Sequence, residues 1–161
     1  MVMAYLGWII GAIVLGMMTF PVLQFVPSKN QKRQMAFRQA ALRKGINIQM
    51  RHPDLPKALA SEYPELERCT AYFKPQPSTL NANYVAVRSN NGEEWFWINE
   101  RRPPAAMMAK MLHLYAELPR FCEAIEQNSS GSTVFLHDHI ELNMIVPLEN
   151  TLNKLNVLIS Q

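Results

Sequence analysis

The chain has 161 residues with 16 Lys/Arg against 13 Asp/Glu, room for one domain of roughly 100–130 residues plus an appendage. Residues 1–53 carry seven bases and no acid, while residues 54–161 carry nine bases and thirteen acids, a formal −4; an acidic body argues against a nucleic-acid-binding domain, whose positive charge should sit on the folded part. Cys69 and Cys122 lie far apart and in no CxxC pair, which is wrong for a disulfide framework or a zinc finger and reads as two buried thiols.

Residues 2–26, "VMAYLGWIIGAIVLGMMTFPVLQFV", contain no charge. As helix, some 22 residues reach about 33 Å, enough to cross a hydrocarbon core. A cleaved signal peptide would place its bases before the apolar run and end on a small-x-small site. Here the bases follow the run and the exit reads "FVPS", so an uncleaved single-pass anchor over residues 1–27 is expected. Only the α-amino group precedes it, whereas Lys29, Lys32, Arg33, Arg38, Arg43 and Lys44 follow. The positive-inside rule then puts the N-terminus outside and the remaining chain in the cytoplasm. Pro21 near the inner end suits a kink. Gly7 and Gly11, extended by Ala4, with Ala12 and Gly16 as a second small pair, form a face on which a partner helix can pack closely; the same face would also tolerate lipid.

Ser28 can cap a new helix that stops at Gly45. On a helical wheel Lys29, Lys32, Arg33, Arg43 and Lys44 share an arc of about 120°. Met35, Phe37, Ala41 and Leu42 lie on the other side, with Arg38 intruding. A basic amphipathic helix at residues 28–45, next to an anchor, is expected to face anionic headgroups. Docking of an acidic partner protein is the alternative.

A single span followed by "PSKNQKRQMAFRQAALRKGINIQM" resembles a group of small uncharacterised gammaproteobacterial single-span membrane proteins over residues 5–50. More faintly, the likeness extends to "WFWI" and Leu118-Pro119. The layout is also superficially similar to the YajC-type accessory subunit of the bacterial Sec translocase, a span with a basic flank. The resemblance implies a bacterial inner-membrane location and other inner-membrane proteins as partners. It implies no catalytic residue.

After Gly45, "INIQMR" alternates as a half-buried strand and residues 52–67, with three prolines, read as loop with at most a short helix. "RCTAYFK" is a second strand. "NYVAVRSNNGEEWFWIN" holds two β-rich runs around Asn91-Gly92, a hairpin signal. Trp95 and Trp97 share one strand face opposite Phe96 and Ile98, as in a central strand covered on both sides, or in an aromatic patch used for partner docking. Pro103-Pro104 open a helical segment that runs to Gln127 with a break near Pro119. "TVFLHDHIELNMIV" divides into two strands with a turn near His137–His139, and Pro147 starts a last helix. That helix has Leu148, Leu152, Leu155 and Ile159 in one stripe opposite Asn150, Asn153 and Asn156. The fold expected for residues 46–161 is α+β, a mainly antiparallel sheet covered by helices.

Met107, Met108 and Met111 read as a buried helix face, with an adaptable binding surface as the alternative. In a continuous strand His137, His139 and Glu141 would share a face with metal-ligand spacing; a turn at Asp138 removes it. No phosphate loop, GxGxxG, GxSxG or HExxH occurs. The expectation is a non-enzymatic accessory or assembly subunit of an inner-membrane complex, without cofactor or nucleic acid, binding lipid headgroups and membrane proteins. A membrane-tethered enzyme with a metal at His137/His139, or a membrane-held ligand-sensing domain, are the alternatives.

Overall fold

Residues 2–24, 27–56, 61–77, 83–89, 91, 94–98, 102–137 and 141–160 are described by the computed structural model of the chain. They divide into two compact units, Met1–Lys32 and Arg33–Gln161.

In the first unit α1 (Val2–Gln24) is 23 residues long and contains no charged side chain. Thr19 satisfies its hydroxyl by donating to the Leu15 carbonyl at 2.9 Å, one turn back along the helix. Among the described residues, no helix is long and apolar enough to cross a membrane, so the fold does not establish the expected span. The side chains at 2–4, 6, 10, 18 and 20–24 lie outside the described set.

Ser28 opens α2 (Lys29–Arg43) with a capping box. Its Oγ accepts from Gln31 N at 3.2 Å, and Gln31 Oε1 accepts from Ser28 N at 2.8 Å, satisfying two donors that the helix start leaves free. The other end closes as a Schellman motif: Gly45, at φ 71°, donates to Leu42 O and Ile46 donates to Ala41 O, both at 3.0 Å. Only glycine enters that left-handed position cheaply.

In the second unit the strands are β1 (Asn47–Gln49), β2 (Thr70–Pro75), β3 (Tyr84–Arg88), β4 (Trp95–Trp97), β5 (Cys122–Asn128) and β6 (Gly131–Leu136). They form one six-stranded sheet of order β1-β2-β6-β5-β3-β4, antiparallel throughout. Helices α3 (Ala105–Ala116) and α4 (Ile145–Ile159) complete the α+β architecture, with 3-10 turns at Pro64–Arg68 and Leu142–Met144. Phe37 and Ala41 of α2, Met111 and Tyr115 of α3, and Leu148, Leu152, Leu155 and Ile159 of α4 share one core with Tyr72, Ala86, Ile125 and Val134 of the sheet. Full burial of each Val, Leu, Ile, Phe or Met among them contributes roughly 1.5–3 kcal/mol. Leu66, Cys69, Ala71, Val87, Ala124 and Phe135 form a smaller core on the opposite sheet face.

Four sequence readings are corrected. Residues 122–128 are strand β5, not the continuation of a helix; the break at Pro119 is real, but the segment beyond it pairs with β3 and β6. The strand expected to end at residue 146 is replaced by the 3-10 turn and the start of α4 at Ile145. Asn156 is fully buried rather than on the polar face of α4, and its Nδ2 donates to Lys74 O at 3.2 Å. The hairpin is present, with Ala86 opposite Trp97 and Arg88 opposite Trp95. However, β4 is an edge strand, not a central one.

Candidate functional site

On α2, Phe37 and Ala41 point into the core, whereas Met35 and Leu42 stay 47% and 55% exposed. The apolar side chains grouped by the sequence therefore split between two faces. At 100° per residue Met35, Gln39 and Leu42 form a solvent stripe with Lys32 and Arg43 along one side of it. Lys29, Lys32, Arg33 and Arg43 are all exposed. Lys44 differs: its Nζ lies 3.1 Å from Glu149 Oε2, with Lys74 Nζ 3.5 Å from Oε1 of the same carboxylate. The hydrogen bond from Lys44, helped by the charge of Lys74, holds the Glu149 carboxyl below its ordinary range. Lys44 thus ties the end of α2 to α4.

Around Gly7, Gly11 and Gly16 there is open space, with nothing within 4 Å of where a Cβ would stand. Gly7, Gly11 and Ala12, with Trp8 and Leu15, line a shallow notch on α1.

Trp95 and Trp97 are half-buried, with ring centroids 5.1 and 5.8 Å from Tyr115. Tyr115 in turn donates to Gln127 Oε1 at 3.0 Å. Of this strand it is Phe96, 46% exposed, that faces outward. The Arg88 guanidinium stacks over Trp95 at 4.8 Å. Met111 is fully buried, and Met107 packs against the main core.

His137 is half-buried just beyond β6, and its backbone N–H donates to Phe121 O at 3.0 Å. Residues 138–140, including His139, lie outside the described residues. Glu141 Oε2 accepts from Asn143 Nδ2 at 3.2 Å. Among the described residues no group of three metal-ligating side chains converges.

Against protein families, curated proteins and solved structures, the chain matches none. Its function has to be read from its geometry.

Two further features were not singled out by sequence. Arg51 reaches Glu126 at 2.6 Å and Thr133 Oγ1 at 3.2 Å, with its guanidinium 5.4 Å over the Phe135 ring. This half-buried ion pair seals the smaller core; nothing in residues 51 and 126, 75 positions apart, signals their meeting. Between α3 and α4 lies an apolar groove of about 550 Å³ floored by Leu114, Val157 and Leu158, with Lys110, His113 and Lys154 at its rim. Lys154 is held at 2.7 Å by Glu117.

Proposed function

We propose that the protein is a membrane-anchored accessory or assembly subunit of a bacterial inner-membrane complex, its α+β body held at the cytoplasmic surface and used to bind partners. The observation that carries this reading is the succession of an uncharged 23-residue helix and a basic helix whose solvent face presents Met35 and Leu42 beside Lys32 and Arg43. An apolar stripe bordered on one side by bases suits the boundary between headgroups and acyl chains. The groove between α3 and α4 supports partner binding by the body. Its apolar floor and lysine rim fit an amphipathic segment with acidic flanks.

The test is membrane fractionation combined with a topology reporter. The chain should resist alkaline carbonate extraction and be released by mild detergent. A reporter fused after Gln161 should be active only when it is of the cytosolic type. Extraction by carbonate would overturn the anchor, and activity of an exported reporter would overturn the orientation.

A further inference from the structure

The end of the β3–β4 hairpin, the C-terminal half of α3 and the loop after it enclose a cavity of about 520 Å³, lined by Arg88, Glu94, Trp95, Leu112, Leu118 and Arg120. Small-molecule sites fall in this range of size, with apolar walls and a few placed polar groups. Arg88 is the unusual member. It is only 6% exposed, and its Nε has no hydrogen-bond partner. Among the described residues it forms no ion pair. Among the described residues its guanidinium lies over the face of Trp95. Glu123 feels the Arg88 charge, yet burial keeps that carboxyl above its ordinary range, against the pull of His137 and Arg88. A buried guanidinium is normally paired, and among the described residues the Nε of Arg88 still lacks an acceptor.

We propose that this cavity binds a small organic acid, its carboxylate on Arg88 with Arg120 at the mouth, and its apolar part against Trp95, Leu112 and Leu118. The planar guanidinium fork matches a carboxylate. Two arginines against Glu94 leave the lining one positive charge in excess, which suits a monoanion, and Glu94 repels a second negative charge. The site is independent of the membrane reading, because every lining residue belongs to the Arg33–Gln161 unit.

The experiment uses the full chain in detergent with its three tryptophans replaced by fluorotryptophan, observed by fluorine NMR. The probes are phenylacetate, its neutral isostere phenylacetamide, and phenyl phosphate. Phenylacetate should shift the Trp95 resonance saturably with a Kd on the order of 1 mM, as befits a fragment of that size, while Trp8 stays still. Phenylacetamide and phenyl phosphate should both bind more weakly. Arg120 and Glu94 are exposed, so Arg120→Ala and Glu94→Gln test the site without a buried substitution. Arg120→Ala should weaken phenylacetate about two- to fivefold and Glu94→Gln should strengthen it by a similar factor. No Trp95 shift, equal affinity for the amide, tighter binding of the phosphate, unchanged affinity in both variants, or a Trp8 shift in parallel would each overturn the proposal.

Discussion

Glu149 sits between Lys44 and Lys74, and its carboxyl titrates below the ordinary glutamate value of 4.5, chiefly through the Lys44 hydrogen bond. A carboxyl whose folded pKa is lowered stabilises the fold fully above its unfolded pKa and loses that contribution as pH falls through the folded value. Lys44 is 46% exposed on its side chain, so solvent screens the pair and its worth stays under about 1 kcal/mol. Glu149→Gln should therefore lower the melting temperature slightly at pH 7. The difference from wild type should shrink as pH falls below the ordinary glutamate value and disappear once the folded carboxyl is protonated. Thermal melts of both proteins across that range check the sign; a difference that grows toward acid would show that Glu149 is not the anion of this pair. Glu123 has the opposite character, since burial raises its pKa, and its ionised form opposes folding.

Among the elements, β5 shows why part of the sheet was hidden in the sequence. "CEAIEQN" alternates poorly because both faces of a central strand are covered. Glu126 and Gln127 look like surface residues, yet they are 4% and 0% exposed. Their burial is made tolerable by Arg51 and Tyr115, partners that no local pattern announces. Local signals were readable where capping or turn chemistry writes them. Ser28 and Gly45 bound α2, and Asn91 marks the β3–β4 hairpin. The Leu148–Ile159 stripe marks the buried side of α4, although the same period misplaced Asn156. The site residues fared differently: the tryptophans drew attention to β4, but Arg88, which makes that neighbourhood a cavity, is an ordinary strand residue in sequence. Gly131 at the start of β6 tests how tightly β2 and β6 are apposed. Its φ is 141°, and a Cβ would strike the Lys74 carbonyl oxygen and approach Gln76 N. At Gly45 there is only the backbone cost, since its Cβ would meet open space. Gly131→Ala should cost roughly 2–3 kcal/mol and Gly45→Ala about 1 kcal/mol, measured as urea midpoints. Equal losses would mean that the strand contact yields.

At the scale of the whole molecule, the charge is sorted along the chain: bases up to residue 53, a net acidic remainder. An acidic body is repelled by an anionic surface, so the bases of α2 would have to outweigh it locally. Lys44 is engaged with Glu149, which leaves Lys29, Lys32, Arg33 and Arg43 for headgroups. Each contributes about 1 kcal/mol near an anionic leaflet, falling off within a Debye length. Met35 and Leu42 add an apolar component that salt does not screen. The chain lacking residues 1–27 keeps α2 and both cores, so it isolates this surface from α1. It should sediment with vesicles rich in phosphatidylglycerol and not with neutral ones, and the binding should fall as salt rises. Replacing Lys32 and Arg43 by Gln should weaken it by about 2 kcal/mol, roughly thirtyfold. Leu42→Asp should weaken it further by putting a carboxylate in the apolar stripe. If binding is the same on neutral and anionic vesicles, or survives all three substitutions, the exposed face of α2 does not meet lipid. Its bases would then act only in setting topology or in docking an acidic protein.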